Sequence, residues 1–130
     1  MAGSVSIEVV REGVELLPFS LNELQIQKLA QYLSNMVLWN RAYNLTAITE
    51  PKEMVIKHLL DSLVLLPHLV DKVPSGRFID VGSGAGLPGI PLSIALPEHH
   101  FTLLDSSGKR TRFMTQMKLE LGLKNIEVIH

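Results

Sequence analysis

The chain contains no cysteine. Disulfides and thiolate metal sites are thereby excluded, and the usage suits a reducing, cytoplasmic compartment. Charge of one sign is also missing: 12 Lys+Arg stand against 13 Asp+Glu, a formal net charge of −1. That balance gives no global attraction to nucleic acid, so any RNA contact must come from a local patch. Long apolar runs are absent too. No window reaches about 18 uncharged apolar residues, so no membrane-spanning helix is expected. Glu8, Arg11, Glu12 and Glu15 interrupt the N-terminal apolar residues, and no signal-peptide core is expected there. There is no internal repeat, no low-complexity segment, and no Ser/His/Asp grouping or carboxylate pair that reads as an acid–base machine. His99 and His100 sit in a turn without a further ligand set, so no metal is expected. What is left is one domain at most, 130 residues with 46% hydrophobic content, ample for a core.

The first part of the chain has helical rhythm. Residues 1–18 show no clear period, consistent with a short helix or a loose arm. Ser20 and Glu23 form a capping-box pattern, with Phe19 and Leu24 at staple spacing. Leu21, Leu24, Leu29, Leu33 and Met36 then recur on one side, which predicts a helix from Ser20 to about Asn40. Residues 40–49 read as a connector. Pro51 at a first-turn position opens a second helix to about Leu66 with a polar stripe of Glu53, Lys57, His58, Asp61 and Ser62. Pro74-Ser-Gly76 breaks the pattern, so an N-terminal helical extension is expected over residues 1–73.

From residue 74 the rhythm becomes strand–helix–strand–helix–strand: strands at about 77–81, 101–105 and 126–129, helices at about 88–96 and 108–121, the second stopped by Gly122. Alternation of this kind predicts an α/β fold with a parallel sheet and right-handed crossovers. The chain ends just after the third strand, whereas a doubly wound sheet normally continues. The expected fold is therefore Rossmann-like with its first three strands present, and residues 74–130 are the first part of a longer domain. The edge of the first strand should lack a neighbour.

Phe78-Ile-Asp80-Val-Gly82-Ser-Gly84-Ala-Gly86 carries the chemistry. An apolar strand running into a glycine-rich turn before a helix is how α/β proteins bring backbone close to a nucleotide-like ligand. Two readings compete. Gly84-x-Gly86-x-x-Gly89 spells a dinucleotide fingerprint, the mark of an NAD-type oxidoreductase. Starting from Gly82 gives Gly-x-Gly-x-Gly with Leu87 in place of the third dinucleotide glycine and Asp80 just before the loop. That pattern looks like the first motif of class I S-adenosylmethionine-dependent methyltransferases. A carboxylate there suits a cationic cofactor and opposes a pyrophosphate. Asp105 ends the second strand, 23 residues after Gly82, an offset suited to hydrogen-bonding ribose hydroxyls; its alternative is capping the next helix, for which Ser106 and Ser107 are available.

Four stretches in order resemble one family: Trp39-Asn40-x-x-Tyr43-Asn44-Leu45-Thr46, His58-Leu-Leu-Asp61-Ser62, Phe78 through Pro91, and Leu104-Asp-Ser-x-Gly-Lys-Arg110. The chain, from about residue 20 onward, resembles the glucose-inhibited division protein B family, the small-subunit ribosomal RNA methyltransferases known as RsmG. The resemblance implies a class I methyltransferase fold and transfer of methyl from S-adenosylmethionine to N7 of a guanine in 16S ribosomal RNA. It implies a cofactor held by Asp80, Gly82, Ser83, Gly84, Gly86, Leu87, Asp105 and Ser106. The family's chains are longer, with further cofactor-side residues beyond position 130. A non-catalytic RNA-binding or interaction module on the same scaffold is the remaining alternative.

Outside the loop the readings are less sharp. His58 and Asp61, with Lys57 at salt-bridge spacing, read as a polar pair buttressing the cofactor loop or as substrate contacts. Trp39 and Tyr43 can stack on RNA bases or belong to the core, the latter being favoured. Lys109, Arg110 and Arg112 open a helix where cations oppose the dipole, which points to RNA phosphate contact or to a solvated face.

Overall fold

The computed structural model describes residues 5–72 and 76–130. Helix α1 (Ile7–Val14) starts at Ser6, whose side chain accepts from the Val9 amide. The long helix α2 is Glu23–Tyr43. It begins later than the Ser20–Glu23 pattern suggests. The capping box is formed by Asn22 and Gln25, with reciprocal side-chain bonds of 2.8 Å each way. Because the start shifts, Leu24 is exposed and no staple with Phe19 forms; the buried stripe is Ile26, Leu29, Ala30, Tyr32, Leu33 and Met36. The helix also runs through the expected connector as far as Tyr43, and ends where Asn44 takes a left-handed φ of 50°.

Helix α3 (Pro51–Met54) runs into π-helical turns (Val55–Leu60) and a last α-turn, α4 (Asp61–Leu63), with α5 (Leu66–Lys72) following. The wider π turns rotate the expected polar stripe apart: Glu53, Lys57 and Asp61 face solvent while His58 and Ser62 are buried. Helix α1 packs on α2 and on the π turns, close enough that a Cβ on Gly13 would collide with Val55.

The expected boundary between helical extension and sheet falls on residues 73–75, outside the described residues. Beyond it the strands are β1 (Arg77–Val81), β2 (His100–Leu104) and β3 (Ile126–Ile129), all parallel, in the order β1-β2-β3. Helix α6 is Gly89–Ala95 and α7 is Gly108–Glu120. Helix α7 closes in a Schellman arrangement, with Gly122 at φ 62° and the Leu123 amide bonded to the Lys118 carbonyl.

Two right-handed crossovers stepping the same way across a sheet put both connecting helices on one face. That face carries Phe78, Phe101, Leu103 and Ile126 and joins the α2 stripe in one hydrophobic core. Gln25 ties the layers by donating to the Ile94 and Ala95 carbonyls at the end of α6. On the opposite face Ile79 is 69%, Val81 78% and Ile129 41% exposed. Among the described residues β1 pairs only with β2, so its outer edge is open as expected. No helix of the described residues is long and apolar enough to cross a membrane.

An open edge beside an apolar face is a template for association. This chain is expected to self-associate as its concentration rises, and Val81→Lys, which places a charge beside that edge, should shift it toward monomer. Sedimentation velocity across a concentration series checks this; a chain that is monomeric throughout would show that the edge is harmless.

Candidate cofactor site

The loop after β1 has to leave the sheet while keeping its amides satisfied. The Leu104 carbonyl, at the end of β2, accepts from both Gly82 and Ser83 amides at 2.8 and 3.0 Å. Gly82, Gly84 and Gly86 all have positive φ, 72°, 60° and 94°. Only glycine adopts such values without strain. A Cβ on Gly82 or Gly84 would meet nothing within 4 Å, so both present bare backbone to open space. Gly86 is different: a Cβ there would strike Ile90 of α6.

The two aspartates hold this loop from below. Asp105 accepts from the Gly84 amide through one carboxylate oxygen and from the Ser107 amide through the other, each at 2.8 Å. Ser107 itself caps α7 through its side chain, which leaves Asp105 free of that duty. Burial pushes the Asp105 carboxyl up, but the two backbone donors and the charges of Arg110 and His130 outweigh it and hold the group below its ordinary range. Asp80 sits on the core face of β1 and accepts from the Gly89 amide at 3.1 Å, at the start of α6. Its pKa is raised, chiefly by burial, with the nearby Asp105 adding to the effect.

Between the strand ends lies an open cleft of about 480 Å³ lined by Val81, Gly82, Leu104, Asp105, Ser106, Arg110, Ile129 and His130. That is the size range of a cofactor or small-ligand site. Of the residues expected from sequence to hold the cofactor, Gly82, Asp105 and Ser106 line it. Gly84 joins through its bond to Asp105. Ser83 is turned inward, its hydroxyl donating to the Asp80 carbonyl, and Leu87 lies outside the lining. Asp80 works beneath the loop. Gly89 makes the close helix-to-strand approach of a third dinucleotide glycine, since a Cβ there would strike Leu103. Yet the amide end of α6, where a pyrophosphate would bind, is already taken by the Asp80 carboxylate.

The three cations at the start of α7 diverge. Arg110 lines the cleft, Lys109 lies 5.9 Å over the Tyr43 ring, and Arg112 bonds back to the Gly108 carbonyl. Trp39, half-buried, packs between Tyr43, tilted at a centroid distance of 5.4 Å, and Phe113, edge-on at 5.5 Å. His58 does not buttress the loop: its Nε2 is 3.0 Å from the Thr46 hydroxyl, bracing the segment after α2, and burial lowers its pKa. Arg11 pairs with Glu8 and Glu23, and Lys57 does not pair with Asp61. No group of three potential metal ligands is found among the described residues.

Residues 25–130 match the family model GidB, described as rRNA small subunit methyltransferase G. The chain belongs to this family. Curated relatives named ribosomal RNA small subunit methyltransferase G include those of Ectopseudomonas mendocina, 51% identical over 95% of the chain, Stutzerimonas stutzeri, 53% over 95%, and Alteromonas mediterranea, 52% over 91%. The matched regions are 56%, 56% and 54% of those relatives, so the chain spans little more than half their length. The three parallel strands and their helices accord with the Rossmann-like fold expected of the family.

The opposed shifts of the two aspartates give them opposite signs in stability. Asp105, with a folded pKa below the ordinary value of 3.8, contributes stability above that value and loses it as pH falls through its folded pKa. Asp80, with a folded pKa above 3.8, contributes stability at low pH that is lost as pH rises through its folded pKa. At pH 7, Asp105→Asn should melt below wild type and Asp80→Asn at or above it. Both gaps should narrow as the pH is lowered toward 3, read by thermal melts across that range.

Proposed function

We propose that the whole protein is an S-adenosylmethionine-dependent methyltransferase acting on N7 of a guanine in 16S ribosomal RNA, in the cytoplasm. The observation that carries this reading is the bare left-handed backbone of Gly82 and Gly84 over a cleft whose wall is Asp105, with Asp80 set against a pyrophosphate. Family membership supports it. S-adenosylmethionine, when bound, supplies a sulfonium methyl group: the S–CH₃ bond breaks with its electron pair left on sulfur, and the guanine N7 lone pair forms the new N–CH₃ bond.

N7 carries no proton, so the reaction asks for alignment and exclusion of water but no general base. The site agrees, being built of glycine backbone and carboxylates that hold position. The Gly82–Gly84 amide edge gives close approach. Asp105, kept ionised, is the group that suits paired ribose hydroxyls. Ser106 lies on the same wall. Lys109 and Arg112, on the side of α7 nearer Trp39 and Tyr43, are the candidates for ribosomal RNA phosphate, while the placement of Arg110 in the cleft suits the cofactor side.

Calorimetric titration of S-adenosylhomocysteine against NAD tests the cofactor class directly. Binding of NAD alone would favour the oxidoreductase reading, and binding of neither the interaction module. Gly82→Val should abolish S-adenosylhomocysteine binding with far-UV circular dichroism near wild type. Asp105→Ala should weaken it by the scale of a lost charge-assisted bond, about 1.5–3 kcal/mol. If Asp105 reads the ribose, wild type should discriminate against a 2′-deoxy analogue and Asp105→Ala should not. Equal discrimination would reassign Asp105 to holding the loop.

The divergence of the basic residues separates two effects. Lys109→Ala should weaken RNA binding and flatten its salt dependence by about one counterion while sparing S-adenosylhomocysteine. Arg110→Ala should do the reverse. Filter binding of RNA over a salt series, paired with calorimetry, distinguishes them; an unchanged slope in Lys109→Ala would leave that residue to a solvated helix face.

A further inference from the structure

We propose that Tyr32 is a positioning residue for the cofactor loop, holding its central peptide from the N-terminal helical unit. The proposal rests on the cofactor assignment above. Tyr32 lies in the middle of α2 and is fully buried. Its hydroxyl donates to the Ala85 carbonyl at 2.6 Å, across 53 positions of sequence. Its ring is set by Phe113 of α7, at a centroid distance of 6.2 Å. Burial, reinforced by the charge of Asp80, raises its pKa well above the ordinary value, so the hydroxyl keeps its proton and remains a donor.

The other anchors of the loop come from the sheet: the Leu104 carbonyl, Asp105 and Asp80. None of them fixes the peptide between Ala85 and Gly86. The N–H of that unit is tied locally, to the Ser83 carbonyl at 2.9 Å, and its C=O across the fold, to Tyr32. A glycine on either side of Ala85 makes the segment permissive, because both flanking residues have broad access to φ and ψ. The planar Ala85–Gly86 peptide turns as a unit about ψ of Ala85 and φ of Gly86, and the glycine is its permissive side. Without the hydroxyl, the Ala85 oxygen is a buried acceptor with no donor. It regains one only by turning toward water, and the rotation carries the Gly86 amide with it. The conformation that bares Gly82 and Gly84 would then no longer be fixed. Tyr32 acts through Ala85 and touches no reacting atom. The N-terminal helical unit is on this account part of the cofactor site, not an appendage to it.

Tyr32→Phe keeps the ring and removes the donor. In the whole protein, hydrogen exchange followed by mass spectrometry should show peptides over residues 82–90 exchanging about tenfold faster, with β2 peptides unchanged. The dissociation constant for S-adenosylhomocysteine should rise about tenfold, equivalent to about 1.4 kcal/mol. KM for the cofactor should rise while KM for RNA stays put. Met117→Ala, a buried residue of α7 away from the loop, is the control for general destabilisation. Loop exchange unchanged in Tyr32→Phe, or cofactor affinity lost equally in Met117→Ala, would overturn the proposal. If wild type fails to bind S-adenosylhomocysteine, the cofactor reading is what fails, and the exchange measurement still decides whether Tyr32 holds the loop.

Discussion

The structure turns on how the backbone leaves β1. A strand in a parallel sheet is satisfied by its neighbour up to its last residue, and a chain that then bends into a helix strands its next few amides. Here the end of β2 absorbs them. The Leu104 carbonyl takes two amides, Asp105 takes the third glycine-loop donor from Gly84, and Asp80 reaches under the loop to the Gly89 amide. The loop, the strand that supports it and the helix that follows are thus one hydrogen-bonded object. Its upper surface is left as glycine backbone while the Gly82, Ser83, Gly84 and Gly89 amides are satisfied from below.

The same geometry decides where everything else can go. Both crossovers place their helices on one face of the sheet, so that face and α2 must supply a single core. Tyr32, Phe101 and Phe113 are among its largest fully buried side chains, and they come from α2, β2 and α7. The N-terminal helices therefore do not sit beside the α/β unit; they complete its covered layer. The other face keeps Ile79 and Val81 in solvent, whereas an all-parallel sheet is ordinarily covered on both faces.

Much of this was legible in the chain. The strands came from apolar runs bounded by turn residues, and β1 and β3 fall where their patterns begin and end. The stop of α7 was legible because Gly122 has one local job, and so was the glycine loop, whose φ demands only glycine meets. Features set by competition between neighbours were not. Ser20 and Asn22 both offer N-caps, with Glu23 and Gln25 each three residues on, and only the packing of Ile26 and Leu29 against the rest of the core selects the later start. The π turns at Val55–Leu60 have no sequence signature at all; they bury His58, which its spacing had placed on a polar face. Contacts such as Tyr32 to Ala85 join residues with no local relation, and a buried tyrosine at core spacing looks like any other core aromatic.

The electrostatics of the two aspartates argue for division of labour between similar groups that feel each other's charge. Each is a strand-end carboxylate and each accepts a loop amide. Asp105 has two backbone donors and the Arg110 guanidinium beside it, and its pKa is held down despite burial. Asp80 has a carboxylate for a neighbour, so burial prevails over its hydrogen bonds and its charge is held at a cost. A group whose charge is stabilised by its own fold is suited to meet a ligand's neutral hydroxyls without changing state. A group whose charge is disfavoured gains most from a cation brought near it. A sulfonium cofactor over this loop would supply one, relieving Asp80 while Asp105 held the sugar. A pyrophosphate would instead add negative charge beside the carboxylate least able to bear it.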